Sequence, residues 1–558
     1  MTNVKGIYFL VFATGIFCTG TLSIMIFIRM QYMVYRLNKV TGIMPCEGES
    51  FCLNTSSAFE NMTNLDKSQW VQSTSAFVAT AMSLVSGTIG LLTIIPLGFI
   101  SDRYGRRYAL LIAFTGFIIE ASMNAATMLL HLPLWVLIVA TLPTSIFGNG
   151  VAGVLTQLYV CITDLTQSIA ESREKRLSTR DSLITSVGDV HPRRVSIMQA
   201  RLPTATATVQ SSMASERLSL IALFEGCMGI TLSIATMVMG PIIQHFGFVV
   251  CGWLIIIVTF LGAICCFLIP NTKLLWHRPG KPEAERLLPL KESDADDRKL
   301  KISACAKLKQ AFSFVSAPVI FGQLTLLVAS IVSPTDIPIF NLFLIGLPFE
   351  MSSTQVGLSL GLRGIGSALV NGLFVLFNML VLQPKLAVVA AAVPKGIVAE
   401  NGLTVGAAGA AGKPYDEVTM RKTKLRQARK IMLYMLIIVL SVMTVSRFLY
   451  GLSGSFSPPA CFGVLFLGMA LNAVQFYGPL IRALMSSLVS SEAQGRLFAL
   501  LGFSEAFGTF IGATSLPMLF AVTVRIYVGF VFLLASALLF GGFLLACVTG
   551  FLLRRHRR

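Results

Sequence analysis

Six ionisable side chains interrupt long apolar runs in this 558-residue chain: the acids Glu120, Glu225, Asp336 and Glu505, and the arginines Arg363 and Arg447. Inside a bilayer each costs roughly 2.5–3.5 kcal/mol at a helix centre, so each needs a partner, water or a function. Arg363 lies about eight residues, or ~12 Å, into its run, close to the midplane of a ~30 Å core. A carboxylate, a bound anion or water in a cavity must offset it, so a substrate or gating role and a static ion pair both fit. Arg447 stands near the outer end of its run, where an arginine snorkels to the interface. A carboxyl at membrane depth can take up and release protons. Glu225 is the first candidate for that chemistry and Glu505 the second; the alternative is a structural hydrogen bond to a neighbouring helix. Glu120, mid-run, stands among the gating candidates with a structural role favoured. Asp336 lies between Pro334 and Pro338. Those prolines break the helix and free carbonyls that usually line a cavity, which suits an outer gate. The five histidines, His131, His191, His245, His277 and His556, fall in expected loops or the tail, so carboxylates must carry any coupled proton.

A second constellation reads Gly98-Phe-Ile-Ser-Asp102-Arg103-Tyr-Gly105-Arg106-Arg107. Gly98 and Gly105 permit a tight turn and close helix approach. Asp102 can face a helix N-terminus or an arginine, a contact able to break as the protein moves. The arginines hold the loop in the cytoplasm. Order, spacing and position resemble the signature loop of the major facilitator superfamily, G-x-x-x-D-[RK]-x-G-[RK]-[RK]. Two further segments narrow the resemblance: Glu216-Arg217 through Glu225-Gly226, and Pro479-Leu-Ile-Arg482 through Gly495-Arg496 to Glu505. These are similar to the proton-coupled folate transporter and thymic stromal cotransporter family, solute carrier family 46. The long segments 161–217 and 383–430 depart from its shorter members.

The superfamily resemblance implies an all-α membrane protein of twelve transmembrane helices, in two six-helix bundles that rock about a central site. It makes Gly98, Asp102, Arg103, Gly105, Arg106 and Arg107 an inner gate, and places the helix of Glu120 off the central cavity. The family resemblance implies proton-coupled symport of an organic anion, folate-like or related, with an important glutamate in the Glu225 segment. The rivals are a proton antiporter or facilitator of amphipathic solutes, and a non-transporting membrane receptor or scaffold. Gly240-Pro241 resembles an antiporter signature, but Gln244 and His245 follow where that signature has two glycines. Asn149, Gln157, Gln323, Asn371, Asn472 and Gln475 could complete a polar pocket, although each is more often a helix–helix contact.

The chain as a whole fits this reading. It is 54% hydrophobic and 13% charged, with a net charge of +18. A soluble domain carries about 25% charge, so a soluble enzyme is excluded. No P-loop, H-E-x-x-H or paired CxxC occurs, so no enzyme activity, metal or cofactor is expected. Apolar runs read as spans at roughly 6–28, 74–99, 108–130, 134–160, 218–239, 247–269, 315–345, 355–382, 431–449, 460–480, 497–522 and 527–553. With the N-terminus inside, the short inner segments hold Arg103, Arg106, Arg107, Arg482, Arg496, Arg554, Arg555, Arg557 and Arg558, and the short outer ones only Arg525. The basic excess therefore belongs to inner loops and the lipid surface, with no nucleic-acid partner. The expected domains are an N-terminal bundle over 1–269, a cytoplasmic linker over 270–314 and a C-terminal bundle over 315–558. Segments 161–217, 270–314 and 383–430 read as mostly disordered inner loops.

Processing and sorting features agree with that topology. The two N-x-[ST] sequons, at Asn54 and Asn61, fall in the first outer loop, as expected of a glycoprotein. Cys46 and Cys52 share that loop and can pair, with Cys461 as an alternative partner. The first span is too long for a cleaved signal peptide. Glu283 with Leu287 and Leu288 forms an acidic dileucine pattern, and Tyr415 to Val418 a tyrosine-based one, so sorting adaptors are candidate partners. Lys175 to Ser178 and Arg193 to Ser196 fit basic-directed kinases. The address is the plasma membrane or an endosomal or lysosomal one.

Overall fold

The computed structural model describes residues 4–44, 59, 61–148, 150, 153–162, 164–166, 192–270, 316–336, 338–377, 415–489 and 494–555. No strand occurs among them; an apolar chain in lipid must satisfy its backbone within each segment, and helices do that. The helices are α1 Val4–Val40, α2 Asn64–Tyr104, α3 Arg106–Leu129, α4 Trp135–Ala140, α5 Leu142–Ile146, α6 Pro192–Leu268, α7 Ala317–Val332, α8 Pro338–Ile345, α9 Ser353–Phe377, α10 Tyr415–Ser453, α11 Ala460–Asn472, α12 Tyr477–Ser486, α13 Gln494–Thr523 and α14 Phe530–Arg555. Ten segments among the described residues are long and apolar enough to cross a membrane, which makes this a multi-pass membrane protein. Large apolar side chains such as Leu92, Phe99 and Phe551 point outward, as a lipid-facing surface requires.

Several boundaries differ from the sequence reading, each for a visible reason. α1 runs twelve residues beyond the expected end at 28 because Arg29, Gln31 and Arg36 are buried with polar partners. α6 carries two spans. Its Gly247 has φ 74 and ψ −177, a left-handed conformation that favours glycine. Along α1, Ser23 donates to the Leu232 carbonyl and Tyr32 meets Phe248, whereas Phe17 lies against Gly262. The chain therefore folds back on itself at Gly247. The expected break in the seventh span is present as a 3-10 turn at Ser333–Asp336. A second break separates α11 from α12. Pro479 explains it: its ring lacks an N–H and clashes with the carbonyl four residues back, at Gln475. Helix also enters two expected loops, beginning at Pro192 and at Tyr415.

The chain forms two compact units. The first comprises Met1–Ser313, Asp336–Gly364 and Ala513–Arg525; the second comprises Phe314–Thr335, Ile365–Gly512 and Ile526–Arg558. In the first, α1 packs along both arms of α6. In the second, α10 and α14 pack together over a core that includes Leu436, Leu440, Met443, Leu539 and Ala546.

Candidate functional site

In the first unit, α9 crosses α6 on a stripe of glycines. A methyl group at Gly357 would stand 2.7 Å from the Thr236 carbonyl oxygen, and one at Gly361 2.5 Å from Met237 Cβ. Gly240 answers from α6, where a methyl would stand 2.5 Å from the Ser353 carbonyl oxygen. Small residues at such spacing let two backbones meet. The crossing carries Arg363 to a cavity that holds about 470 Å³ of empty space including its mouth. Its walls come from α1 (Ser23, Ile26, Phe27), α6 (Leu232, Thr236), α8 (Asn341) and α9 (Leu360, Arg363, Gly364). The Arg363 guanidinium lies over the Phe340 ring, 5.0 Å from its centroid. Asn341 is fully buried and accepts from Gln31 Nε2 at 3.2 Å, while Ser353 Oγ donates to Gln31 Oε1 at 2.9 Å.

Glu225 lies further down α6. Its neighbour Phe224 fills the space over Gly15 and packs edge-on against Phe12 and Tyr159. That packing sets the rotation of α6, and Tyr159 OH donates to Glu225 Oε1 at 3.3 Å. Glu225 is half-buried.

Glu120 sits in a closed network. Arg29 Nη2 pairs with its Oε1 and Thr144 Oγ1 donates to its Oε2. Arg29 Nε also donates to Asn124 Oδ1 at 2.9 Å, and Asn124 Nδ2 returns to the Glu120 carbonyl at 2.7 Å. Both carboxylate oxygens are thus engaged by structural partners, away from the cavity. Sequence reasoning missed Arg29 because the first span was ended one residue before it.

The loop between α2 and α3 turns on Gly105, whose φ of 107 favours glycine and whose N–H donates to Ser101 O at 3.1 Å. Arg106 Nη1 donates to Ser101 Oγ at 2.8 Å, and its Nε meets Asp164 Oδ2 at 3.3 Å. Ser101 also donates to Gln157 Oε1. Arg103 lies over Tyr104 and Arg107 over Phe267, each a cation–π contact. Asp102 is helical, and its side chain lies outside the described set. A methyl at Gly98 would meet no described atom within 4 Å. Asp164 was missed because nothing in its own segment marks it.

In the second unit, Arg482 Nη2 pairs with Glu505 Oε2, both side chains remaining partly exposed. Gln323 Nε2 donates to Leu500 O at 2.8 Å and to Ser504 Oγ. Arg447 does not snorkel: it is fully buried, with Tyr450 packed against it at 5.5 Å. Asn472, at the end of α11, is fully buried, and neither of its side-chain polar atoms has a hydrogen-bond partner among the described residues. Asn371 Oδ1 likewise has none, and Gln475 lies in the break between α11 and α12.

The side chain of Asp336 and residues Cys46, Cys52, Asn54, Asn149, Glu283, Leu287 and Leu288 lie outside the described set. Asn61 is exposed in the turn before α2. Its sequon threonine, Thr63, caps α2 by accepting from Asp66 N at 3.2 Å. Cys461 is buried with a free thiol. The described residues contain no cluster of metal ligands.

No protein-family model matches the chain. It is 34% identical over 126 residues to inositol transporter 4 of Arabidopsis thaliana; the alignment spans 23% of this chain and 19% of that relative. Among solved structures, a POT family transporter, PepTSo, aligns with a TM-score of 0.54 at 10% identity, over 98% of each chain. A D-xylose–proton symporter aligns at 0.53 and 12% identity, over 98% of this chain and 97% of that one. The xylose transporter XylE of E. coli gives 0.51 and 13%, with the same coverage. These proteins are transporters, not enzymes. At such identities the likeness speaks for architecture, and that architecture is the all-helical major facilitator fold.

Proposed function

We propose that this protein is a secondary active transporter that moves an organic anion together with a proton by alternating access. The observation that carries the proposal is Arg363: a guanidinium in a membrane-spanning helix, lining a cavity beside a fully buried amide. A guanidinium in a cavity wall offers an anionic solute a planar, bidentate set of donors. Glu225, hydrogen-bonded to Tyr159 and half-buried, is the proton carrier in this reading, with Glu505 and its partner Arg482 as a second candidate. The sequence resemblance to the folate transporter family supports an anion and a proton. The loop from Gly98 to Arg107, with Arg106 tied to Asp164 and Ser101, serves as the inner gate. The two six-helix halves joined by 270–314 are the moving parts.

A second reading is proton-linked uptake of a neutral polyol, favoured by the match to an inositol transporter and the fold shared with a xylose–proton symporter. One experiment separates the two. Cells expressing the protein at their surface are given labelled organic anions and labelled inositol at acidic and neutral outer pH, with and without a protonophore. Anion uptake stimulated by acid, and abolished by the protonophore, by Glu225→Gln and by Arg363→Gln, is the expected result. Inositol uptake that survives Arg363→Gln would overturn it in favour of the polyol. No flux of either solute by surface-confirmed protein would overturn both.

A further inference from the structure

We infer that the groove between α10 and α14 binds an anionic phospholipid, with its headgroup held by Lys430 and Arg554 and its acyl chains laid along the apolar faces of the two helices. The inference does not depend on the proposed transport. Both helices belong to the second unit. Gly550 brings them close, since a methyl there would stand 2.8 Å from Leu433 Cδ2. One turn further along α14, Arg554 Nη2 donates to Tyr434 OH at 2.7 Å. At the far end Ser536 Oγ donates to the Thr444 carbonyl at 2.9 Å, so the helices run antiparallel and side by side. Arg554 and Tyr434 are both exposed, and their bond therefore crosses the groove on its outward side. Lys430 is exposed four residues before Tyr434, on the same face and ~6 Å nearer the helix start. A guanidinium, an ammonium and a phenol hydroxyl collect at one end of the groove.

Further along each helix the outward residues turn apolar: Ile438 on α10, Phe551 and Val548 on α14. That order matches a phospholipid, whose phosphate sits at the interface and whose chains lie in hydrocarbon. No carboxylate balances the cations. α10 has no acid after Glu417 and α14 has none at all. No ion pair among the described residues involves Lys430 or Arg554. Residues 421–430 carry six basic side chains, and Arg555, Arg557 and Arg558 follow Arg554. Basic residues bunched just beyond a membrane span attract anionic lipid. By the arginine bias this end faces the cytoplasm, the leaflet in which such lipids concentrate. A topology signal alone requires charge but no geometry. Here Tyr434 holds Arg554 over the groove, and a planar guanidinium keeps a further edge for phosphate oxygens.

The test uses the full-length purified protein in an uncharged detergent and counts bound lipid by native mass spectrometry. Phosphatidylserine and phosphatidylcholine with the same chains are the probes, and glycerophosphoserine is the soluble competitor. The expected result is a preference for phosphatidylserine of roughly tenfold or more. Glycerophosphoserine at matched concentration should not displace it. Lys430→Gln/Arg554→Gln should lower phosphatidylserine affinity roughly thirtyfold, the worth of two basic residues at an anionic surface. Lys430→Arg/Arg554→Lys keeps both charges and should retain the preference. Tyr434→Phe releases Arg554 and should weaken binding in the same direction as the glutamine variant. Arg525→Gln removes an exposed charge outside the groove and should change nothing. Should the double glutamine variant not fold, Lys430→Gln alone breaks no ion pair among the described residues and should cost roughly fivefold. Equal retention of the two lipids, binding unchanged by the glutamine substitutions, or an equal loss in Arg525→Gln would each overturn the inference. Displacement by glycerophosphoserine would also overturn it, because the site would then take a free headgroup and not a lipid.

Discussion

The Arg29–Glu120 pair allows a prediction about stability that is independent of transport. Both side chains are close to fully buried, 10% and 6% exposed. Removing one partner of a buried pair strands the other charge and costs about 3–5 kcal/mol, whereas replacing both with apolar groups is often near neutral. The neighbours decide where each variant falls. In Glu120→Leu the guanidinium keeps Asn124 Oδ1 at 2.9 Å but cannot lose its charge. In Arg29→Met the carboxylate keeps Thr144 but loses its counter-charge. In the double variant, Thr144 Oγ1 still reaches Thr141 O at 3.1 Å, so its donor stays satisfied. Asn124 Oδ1 loses its partner, at about 1–3 kcal/mol. The double variant should thus sit about 1–3 kcal/mol below wild type, above either single. Equilibrium unfolding in mixed micelles measures all four proteins. Single variants within experimental error of wild type, or a double variant whose loss equals the sum of the singles, would refute the argument.

Three further outcomes follow from packing and geometry. Gly361→Val should cost about 1–3 kcal/mol by overpacking, because its Cβ would stand 2.5 Å from Met237 Cβ; Gly372→Val, whose Cβ would meet no described atom within 4 Å, is the control, and thermal unfolding compares them. Gly105→Ala should lose about 1–3 kcal/mol from its left-handed backbone, while Gly98→Ala should be neutral or stabilising by up to ~1 kcal/mol, a contrast read by folded yield after heating. Asp164→Asn should weaken the hold on Arg106 and change transport rate more than solute affinity, so uptake kinetics should show Vmax moving with KM nearly constant.

How much of this was legible in the sequence depended on whether the cause was local. The apolar runs gave the helices, because hydrocarbon forces each segment to satisfy itself. Pro334 and Pro338 located the break before α8, and Pro479 could have located the break before α12 by the same rule, had its carbonyl clash been applied. Non-local causes were hidden. Arg29 reads as the end of a span until Glu120 and Asn124, some ninety residues away, supply its partners. Arg447 reads as a snorkelling residue because nothing in its neighbourhood shows that α10 buries it. Asn341 reads as one polar residue in an apolar run, since its partner Gln31 stands on α1, some three hundred residues away.

The proposed proton and anion sites share two helices, and their spacing limits how they can communicate. Glu225 and the cavity wall at Thr236 lie on the same α6, eleven residues apart or ~16 Å of helical rise. At that distance and an effective dielectric of ~20, two unit charges interact by about 1 kcal/mol. Seating an anion on Arg363 makes a nearly neutral pair, so the field reaching Glu225 is smaller still. A coupling of 1 kcal/mol changes proton affinity roughly fivefold, whereas turning a two-state equilibrium fully over needs about 5.5 kcal/mol. Direct electrostatics is therefore too weak to make one event require the other. The larger share must come from α6 moving as a body. Phe224, locked between Gly15, Phe12 and Tyr159, ties one end of that helix to α1, and the glycine crossing with α9 ties the other to Arg363. Loosening the crossing with Gly361→Ala should then uncouple anion uptake from the proton gradient before it abolishes anion binding. The converse order, binding lost while the remaining flux stays proton-driven, would place the coupling elsewhere.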